Sequence, residues 1–164
     1  MTDCHTSSYN PLPAMADRKA LLKNATALCE SFAQKKPVGQ VLETFSSSRP
    51  DDIVLLEHGL QQLAPFLGRT FQGIAGAKEY FSIISELLDY DNMKFSDYIV
   101  DVEERVVSVR GEADFTWKST GNTWHETFLY RIQLDEAGKI LVYEVWADSG
   151  AAYLASRGEA SSKN

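Results

Sequence analysis

Two neighbouring stretches of alternating apolar and polar residues, 105–118 and 123–134, constrain the fold of this chain more than any other feature. Apolar or small residues occupy the odd positions of the first stretch and the even positions of the second. Successive side chains of a β-strand point to opposite faces, so each stretch predicts a strand with one buried face. Residues 119–122 include Gly121 and Asn122, which are typical of turns, and they predict an antiparallel hairpin.

The remaining pattern places most helices before the main sheet. In chain order we predict helices 17–36 and 38–45, strand 53–58, helix 74–88, and strands 94–103, 105–118, 123–134 and 139–148. Asp17 is expected to cap the first helix, and Pro37 is expected to end it. Helices followed by an antiparallel meander indicate an α+β fold, not a parallel βαβ sheet.

Length and charge limit the classes of function. The 164 residues fit one domain, which we place at 16–156 between two disordered tails, 1–15 and 157–164. No apolar run approaches the roughly 20 residues that a membrane helix needs. The N-terminus lacks a secretory apolar region, so we expect a cytoplasmic protein with no membrane partner. The net charge of −7 argues against nucleic acid as a partner.

The spacing of cysteine, histidine and glycine predicts no cofactor site. Cys4 and Cys29 are expected to be free thiols, which suits a reducing compartment. The three histidines share no metal-binding spacing. No Gly-rich phosphate loop opens a helix after a buried strand. We therefore expect the protein to work without a metal or another cofactor.

One residue breaks the apolar face of the second long strand. That face carries large apolar side chains except at one position: Trp124, Glu126, Phe128, Tyr130, Ile132 and Leu134. A carboxyl group in apolar surroundings has a raised pKa, which is one way to build a general acid or base. Glu126 is therefore a candidate catalytic residue. Alternatively, it lies near the strand end and reaches water or a basic side chain.

Three further positions leave alternatives open. His58 ends strand 53–58 and could act as a base, because histidine side chains titrate near neutral pH, or it could be an ordinary surface or core residue. Both faces of strand 139–148 carry large apolar residues, and a bulge could switch its inner face midway. Asp148 could face the mouth of a pocket beside Trp146, or it could cap the turn before residues 151–154.

Two motifs accompany this pattern. One is Phe71-x-Gly73-x-x-Gly76-x-x-x-Tyr80-Phe81, at the start of helix 74–88. The other is Asp135-Glu136-x-Gly138-Lys139-Ile140 followed by Val145-Trp146-Ala147-Asp148. They resemble the entry into the third helix and the terminal hairpin of the SnoaL-like, NTF2-like family of cone-shaped α+β domains. The resemblance covers residues 17–155. It implies N-terminal helices packed on a strongly curved antiparallel sheet that encloses a pocket.

The family includes ketosteroid isomerase, polyketide cyclases, scytalone dehydratase and limonene-epoxide hydrolase, as well as non-catalytic binding and transport proteins. The resemblance places His58 where the isomerase has its general base and Tyr130 near its oxyanion-stabilising acid. The first helix lacks that enzyme's tyrosine, since it has Ala27 and Leu28 there. Arg110 and Arg131 point outward by strand parity, which disfavours the Asp-Arg-Asp chemistry of the epoxide hydrolase.

These features lead to one principal hypothesis and two alternatives. The first is a cofactor-independent isomerase, cyclase or dehydratase that acts on an apolar polyketide- or terpenoid-like molecule in secondary metabolism. The alternatives are a non-catalytic small-molecule-binding protein and a dimeric NTF2-like adaptor. A homodimer is expected through the outer sheet face, which carries Leu129. The candidate catalytic residues are His58, Glu126, Tyr130 and Asp148. The candidate substrate-binding residues are Tyr80, Phe115, Trp117, Trp124, Phe128, Tyr143 and Trp146.

Overall fold

The computed structural model describes residues 17–159, and the predicted N-terminal tail and most of the predicted C-terminal tail lie outside that range. Its elements are α1 (Arg18–Ala33), α2 (Val38–Leu42), β1 (Val54–His58), β2 (Thr70–Gln72), α3 (Gly73–Leu87), β3 (Leu88–Asp101), β4 (Val106–Trp117), β5 (Thr123–Leu134), β6 (Ile140–Trp146) and α4 (Ser149–Ser156). The segregation of α1 to α3 from the β3–β6 meander confirms the α+β class. In the described part of the chain, no helix is both long enough and apolar enough to cross a bilayer.

The first helix forms where its apolar spacing and its cap predict it. The side chain of Asp17 accepts a hydrogen bond from the backbone N–H of Lys19 and so satisfies one of the free donors of the first turn. Leu21, Ala25 and Leu28 form a buried stripe along one side of α1. The helix thereby packs on β3 and β4 and closes one side of the core.

The six strands form one mixed sheet in the order β2-β1-β6-β5-β4-β3. Strands β3 to β6 are an antiparallel meander, as the sequence predicts. The expectation of a wholly antiparallel sheet is corrected at β1, which pairs with β6 in parallel. The chain reaches the meander from β1 through α3 and not through a hairpin, so a tight turn does not impose the antiparallel direction.

Strand alternation determines which side chains meet the helices. Alternate residues of β4 and β5 are buried on the face predicted from the sequence, among them Val107, Val109 and Ile132. In β6 a register shift opposite Gln133 and Leu134 switches the inner face, as the bulge alternative predicts: Ile140 is buried before it, and Tyr143 and Val145 face inward after it. Register shifts near Asp91 and Ser96 interrupt β3, and such bulges bend a strand and increase its twist.

Gly111 of β4 makes room for an aromatic ring of the neighbouring strand. It lies opposite Phe128 of β5, and a Cβ atom at position 111 would be 2.1 Å from the Phe128 ring. Any larger residue at this position would have to displace the ring. As a result, the Phe128 ring lies over Gly111 of β4 and forms part of the wall of the space between the sheet and the helices.

Candidate active site

A cavity lies between the inner face of the sheet and the helices. It contains about 690 Å³ of empty space, part of it open to solvent. Ten of its twenty lining residues are aromatic, contributed by α1, α3, the sheet and the loop before β2. Such a cavity suits a flat apolar molecule, while its few polar groups would orient that molecule.

Glu57 of β1 is a buried carboxyl group in this cavity. Its side chain is 8% exposed, and its Oε2 accepts a hydrogen bond of 2.6 Å from the hydroxyl of Tyr80 on α3. Burial raises the pKa of Glu57 to about 7, and the negative charge of Glu126 adds to that effect, while the Tyr80 hydrogen bond opposes it. Glu57 can therefore gain or lose a proton near neutral pH.

Glu126 of β5 faces the same cavity, as strand parity predicts. It is 6% exposed, and its two oxygen atoms accept hydrogen bonds from different donors. The indole N–H of Trp124 donates to one oxygen at 2.6 Å, and the backbone N–H of Asp148 donates to the other. Burial raises the pKa of Glu126, and both hydrogen bonds oppose the rise. This carboxyl group links β5 to the start of α4.

Three buried tyrosines line the cavity beside Glu57. The ring centroids of Tyr130 and Tyr143 are 4.9 Å apart, and those of Tyr80 and Tyr143 are 6.3 Å apart. Burial raises the pKa of each hydroxyl well above its ordinary value. The hydroxyls therefore stay protonated at neutral pH and can serve as hydrogen-bond donors.

His58 lies on the opposite face of the sheet and does not open into the cavity. Its Nε2 is 3.2 Å from Oε1 of Glu144, and its ring stacks on Trp146 with centroids 4.0 Å apart. The reason is strand alternation: Glu57 points inward, so its neighbour points outward. The prediction that His58 joins Glu126 and Tyr130 in one cavity is therefore wrong.

Two predicted substrate-binding tryptophans also lie outside the cavity lining. Trp146 is 39% exposed on the outer face because the odd positions face inward in the last part of β6. Trp117 is buried, but it is not part of the lining, and its indole N–H donates to Ser119.

The other candidates lie around one cavity. Tyr80, Phe115, Trp124, Glu126, Phe128, Tyr130, Tyr143 and Asp148 all belong to its lining. Asp148 combines the two predicted alternatives. It lines the cavity, and its side chain also caps α4 by accepting a hydrogen bond from the backbone N–H of Ala151. Sequence reasoning passed over Glu57, although it shares odd parity with the buried Ile53 and Leu55.

The described residues contain no group of three or more histidine, cysteine, aspartate or glutamate side chains that could hold a metal ion.

Comparisons with known proteins identify the fold. No family model and no curated protein matches the sequence. An NTF2-like protein from Burkholderia xenovorans aligns with a TM-score of 0.68 and 18% identity, over 85% of this chain and 98% of its own. TerC, co-crystallised with polyporic acid, aligns with a TM-score of 0.69 and 18% identity, over 84% and 98%. The BvnE pinacolase from Penicillium brevicompactum aligns with a TM-score of 0.61 and 14% identity, over 82% and 89%.

These similarities show that the chain has the NTF2-like fold, which confirms the resemblance at the level of architecture. At these identities the comparison extends to the fold alone. Function must therefore be argued from the cavity.

Proposed function

We propose that this protein is a cofactor-independent acid/base enzyme. It isomerises, cyclises or dehydrates an apolar polyketide- or terpenoid-like molecule in secondary metabolism. The observation that carries the proposal is the buried Glu57 in an aromatic cavity, with a pKa of about 7 and a hydrogen bond from Tyr80. A group with such a pKa can take a proton from one substrate atom and return it to another.

The cavity also supplies groups that could stabilise the charge left on the substrate. Proton abstraction next to a carbonyl produces a negatively charged oxygen, which hydrogen-bond donors in a dry site stabilise. The protonated hydroxyl of Tyr130, which accepts a hydrogen bond from Tyr143, is a suitable donor. The aromatic walls, including Phe115 and Trp124, would hold a flat substrate over Glu57.

The structural neighbours support an enzyme of this general kind without naming its reaction. One of them is a pinacolase, and another was crystallised with polyporic acid. A cytoplasmic location belongs to the same proposal, since Cys29 is a buried free thiol.

The elimination of 5-nitrobenzisoxazole tests the proposal without knowledge of the natural substrate. A base removes the proton from the ring carbon, the N–O bond breaks, and a coloured nitrophenolate forms. Ionised Glu57 should accelerate this reaction about 10²–10⁴-fold, and the rate should rise with pH through about 7. Glu57→Gln should abolish the acceleration, whereas Glu112→Gln, on the outer face, should keep it.

The specific alternative is a non-catalytic binding protein, which the aromatic lining favours. In that case the wild type would bind the probe but convert it no faster than Glu57→Gln. Equal rates for these two proteins over the whole pH range would contradict the enzyme proposal.

We further propose a homodimer formed through the outer sheet face. Leu129 is 42% exposed, and its register partner on β6, Trp146, is 39% exposed. Both lie on the face that the helices leave uncovered. Adjacent exposed apolar side chains of this kind are typical of contact surfaces between proteins.

A further inference from the structure

A bulge in β3 directs the side chain of Met93 into the cavity. At the first register shift of this strand, Asn92 and Met93 together lie opposite the single residue Ala113 of β4. The alternation therefore changes at this point, and the cavity lining contains Tyr90 before the bulge and Met93 after it. In an unbulged strand these two positions would lie on opposite faces, and Met93 would point outward.

Contacts on the outer face hold this bulge in place. The φ angle of Asn92 is 56°, in the left-handed region that asparagine adopts more readily than most residues. Its Nδ2 donates a hydrogen bond of 2.7 Å to Oδ2 of Asp114 on β4. The other oxygen of Asp114, Oδ1, is 2.8 Å from Nδ1 of His125 on β5. These contacts fix the face on which Met93 lies.

Met93 differs from the rest of the lining in its freedom to change shape. The aromatic side chains of the inner face form a continuous series of ring contacts, with centroids 4.9–6.0 Å apart, through Trp124, Phe115, Phe128, Tyr130 and Tyr143. Among the described lining residues, Met93 alone has a long, unbranched apolar side chain. Such a side chain adopts several rotamers and fills gaps of irregular shape. It is half-buried on an edge strand of the sheet.

We propose that Met93 determines the size of the flat apolar molecule that the cavity binds. This deepens the proposed function and rests on it for the choice of site. In the register of the sheet, Met93, Ala113 and Glu126 lie side by side across the inner face. Ala113 contributes only a methyl group between the other two, so a ligand that covers this row reaches Met93. One rotamer of Met93 would close the wall against a small ligand, and another would make room for a larger one.

Two fluorescent phenols of different size test the proposal: 2-naphthol, with two fused rings, and 1-hydroxypyrene, with four. Fluorescence titration at about pH 6, where phenols stay protonated, gives the ratio of their dissociation constants. Met93→Trp should weaken the binding of 1-hydroxypyrene at least about tenfold relative to 2-naphthol, because the indole occupies the space that the larger probe needs. Met93→Ala should change the ratio in the opposite direction, since it leaves a gap that only the larger probe fills.

Ile99 offers a matched control on the same strand. It lies after the second register shift and is 71% exposed, so Ile99→Trp and Ile99→Ala should leave the ratio unchanged. Binding of 2-naphthol reports that Met93→Trp is folded, and if this variant does not bind it, Met93→Ala decides the test alone. A ratio for Met93→Ala within about twofold of the wild-type value would overturn the proposal. Failure of the wild type to bind either probe at millimolar concentration would also overturn it.

These outcomes are separate from those of the elimination assay. A ratio that responds to substitution of Met93, without elimination, would support the role of Met93 in binding and contradict the proposed enzyme. Elimination by the wild type together with a ratio that does not respond to Met93 would do the reverse.

Discussion

At the scale of single residues, the two buried glutamates differ in their hydrogen-bond partners. Both oxygens of Glu126 accept hydrogen bonds from N–H groups, and these bonds oppose the rise in pKa that burial causes. Among the described residues, Glu57 accepts a hydrogen bond only from the hydroxyl of Tyr80, and its pKa is about 7. Of the two, Glu57 has the oxygen to which no described residue donates, and that oxygen can exchange a proton with a bound molecule. We therefore assign the proton-transfer role to Glu57 and a positioning role to Glu126.

The raised pKa predicts that the contribution of Glu57 to the free energy of unfolding depends on pH. Folding raises its pKa from 4.5 to about 7, so its favourable contribution is fully present below about pH 4.5 and is lost as the pH rises through 7. A shift of this size corresponds to about 3 kcal/mol. The free energy of unfolding of Glu57→Gln relative to wild type should thus rise by up to about 3 kcal/mol between pH 4 and 8, measured by urea denaturation.

A variant on the outer face provides the control. Glu112 lies partly exposed on the outer face, so Glu112→Gln controls for the loss of one carboxylate away from the cavity and should not reproduce the rise seen in Glu57→Gln. A constant difference for Glu57→Gln would show that folding does not raise the pKa of Glu57.

At the scale of elements, the sequence predicts long, one-sided strands best. In β4 and β5 the alternation runs over twelve residues, and the bounds of β5 agree with the prediction. Strand β1 has five residues with apolar Val54 and Leu56 on its outer side, so its pattern does not show which face is buried. The prediction of His58 rests on its titration range and on the family resemblance, and neither shows that Glu57 is the residue of β1 that faces inward.

Short or interrupted elements were harder to predict for related reasons. Strand β2 has three residues, which are too few for a periodic pattern. Strand β3 begins at Leu88, directly after α3, but its register shift between Asp91 and Lys94 breaks the alternation there, and the prediction therefore starts at residue 94. Helix α4 follows β6 closely, and the sequence prediction recognised only a turn.

Substitution of Gly111 should destabilise the sheet. In Gly111→Ala the new methyl group would displace the Phe128 ring toward the cavity, which should cost about 1–3 kcal/mol and weaken the binding of flat probes. Gly39→Ala is the matched control, because no atom lies within 4 Å of the added Cβ, and alanine favours helix formation by about 0.5–1 kcal/mol. Urea denaturation of both variants measures the difference. Equal stability of the two would contradict this view of Phe128.

At the scale of the whole molecule, the sheet separates two surfaces with different chemistry. The inner face carries the aromatic cavity with its carboxyl groups. The outer face carries the stacked pair His58–Trp146, the carboxylate of Glu144 between His58 and Arg131, and the exposed Leu129. Substitutions on opposite faces should therefore change the proposed association and the proposed catalysis independently.

The proposed dimer gives the corresponding prediction. Light scattering at micromolar concentration should report a dimer for the wild type and a monomer for Leu129→Glu, because a carboxylate would be buried in the interface. The exposed Lys78 of α3 offers a charge change away from the sheet, and Lys78→Glu should remain dimeric. A monomeric wild type would contradict the proposal.

The titration of Glu57 by NMR tests the central claim most directly. In protein labelled with ¹³C at the glutamate carboxyl carbons, the resonance that disappears in Glu57→Gln identifies this residue. It should titrate at about pH 7, and in Tyr80→Phe at a higher pH, because the Tyr80 hydrogen bond favours the ionised carboxylate. Titration of Glu57 near 4.5, the ordinary value of a glutamate, would contradict its role as the proton-transferring group.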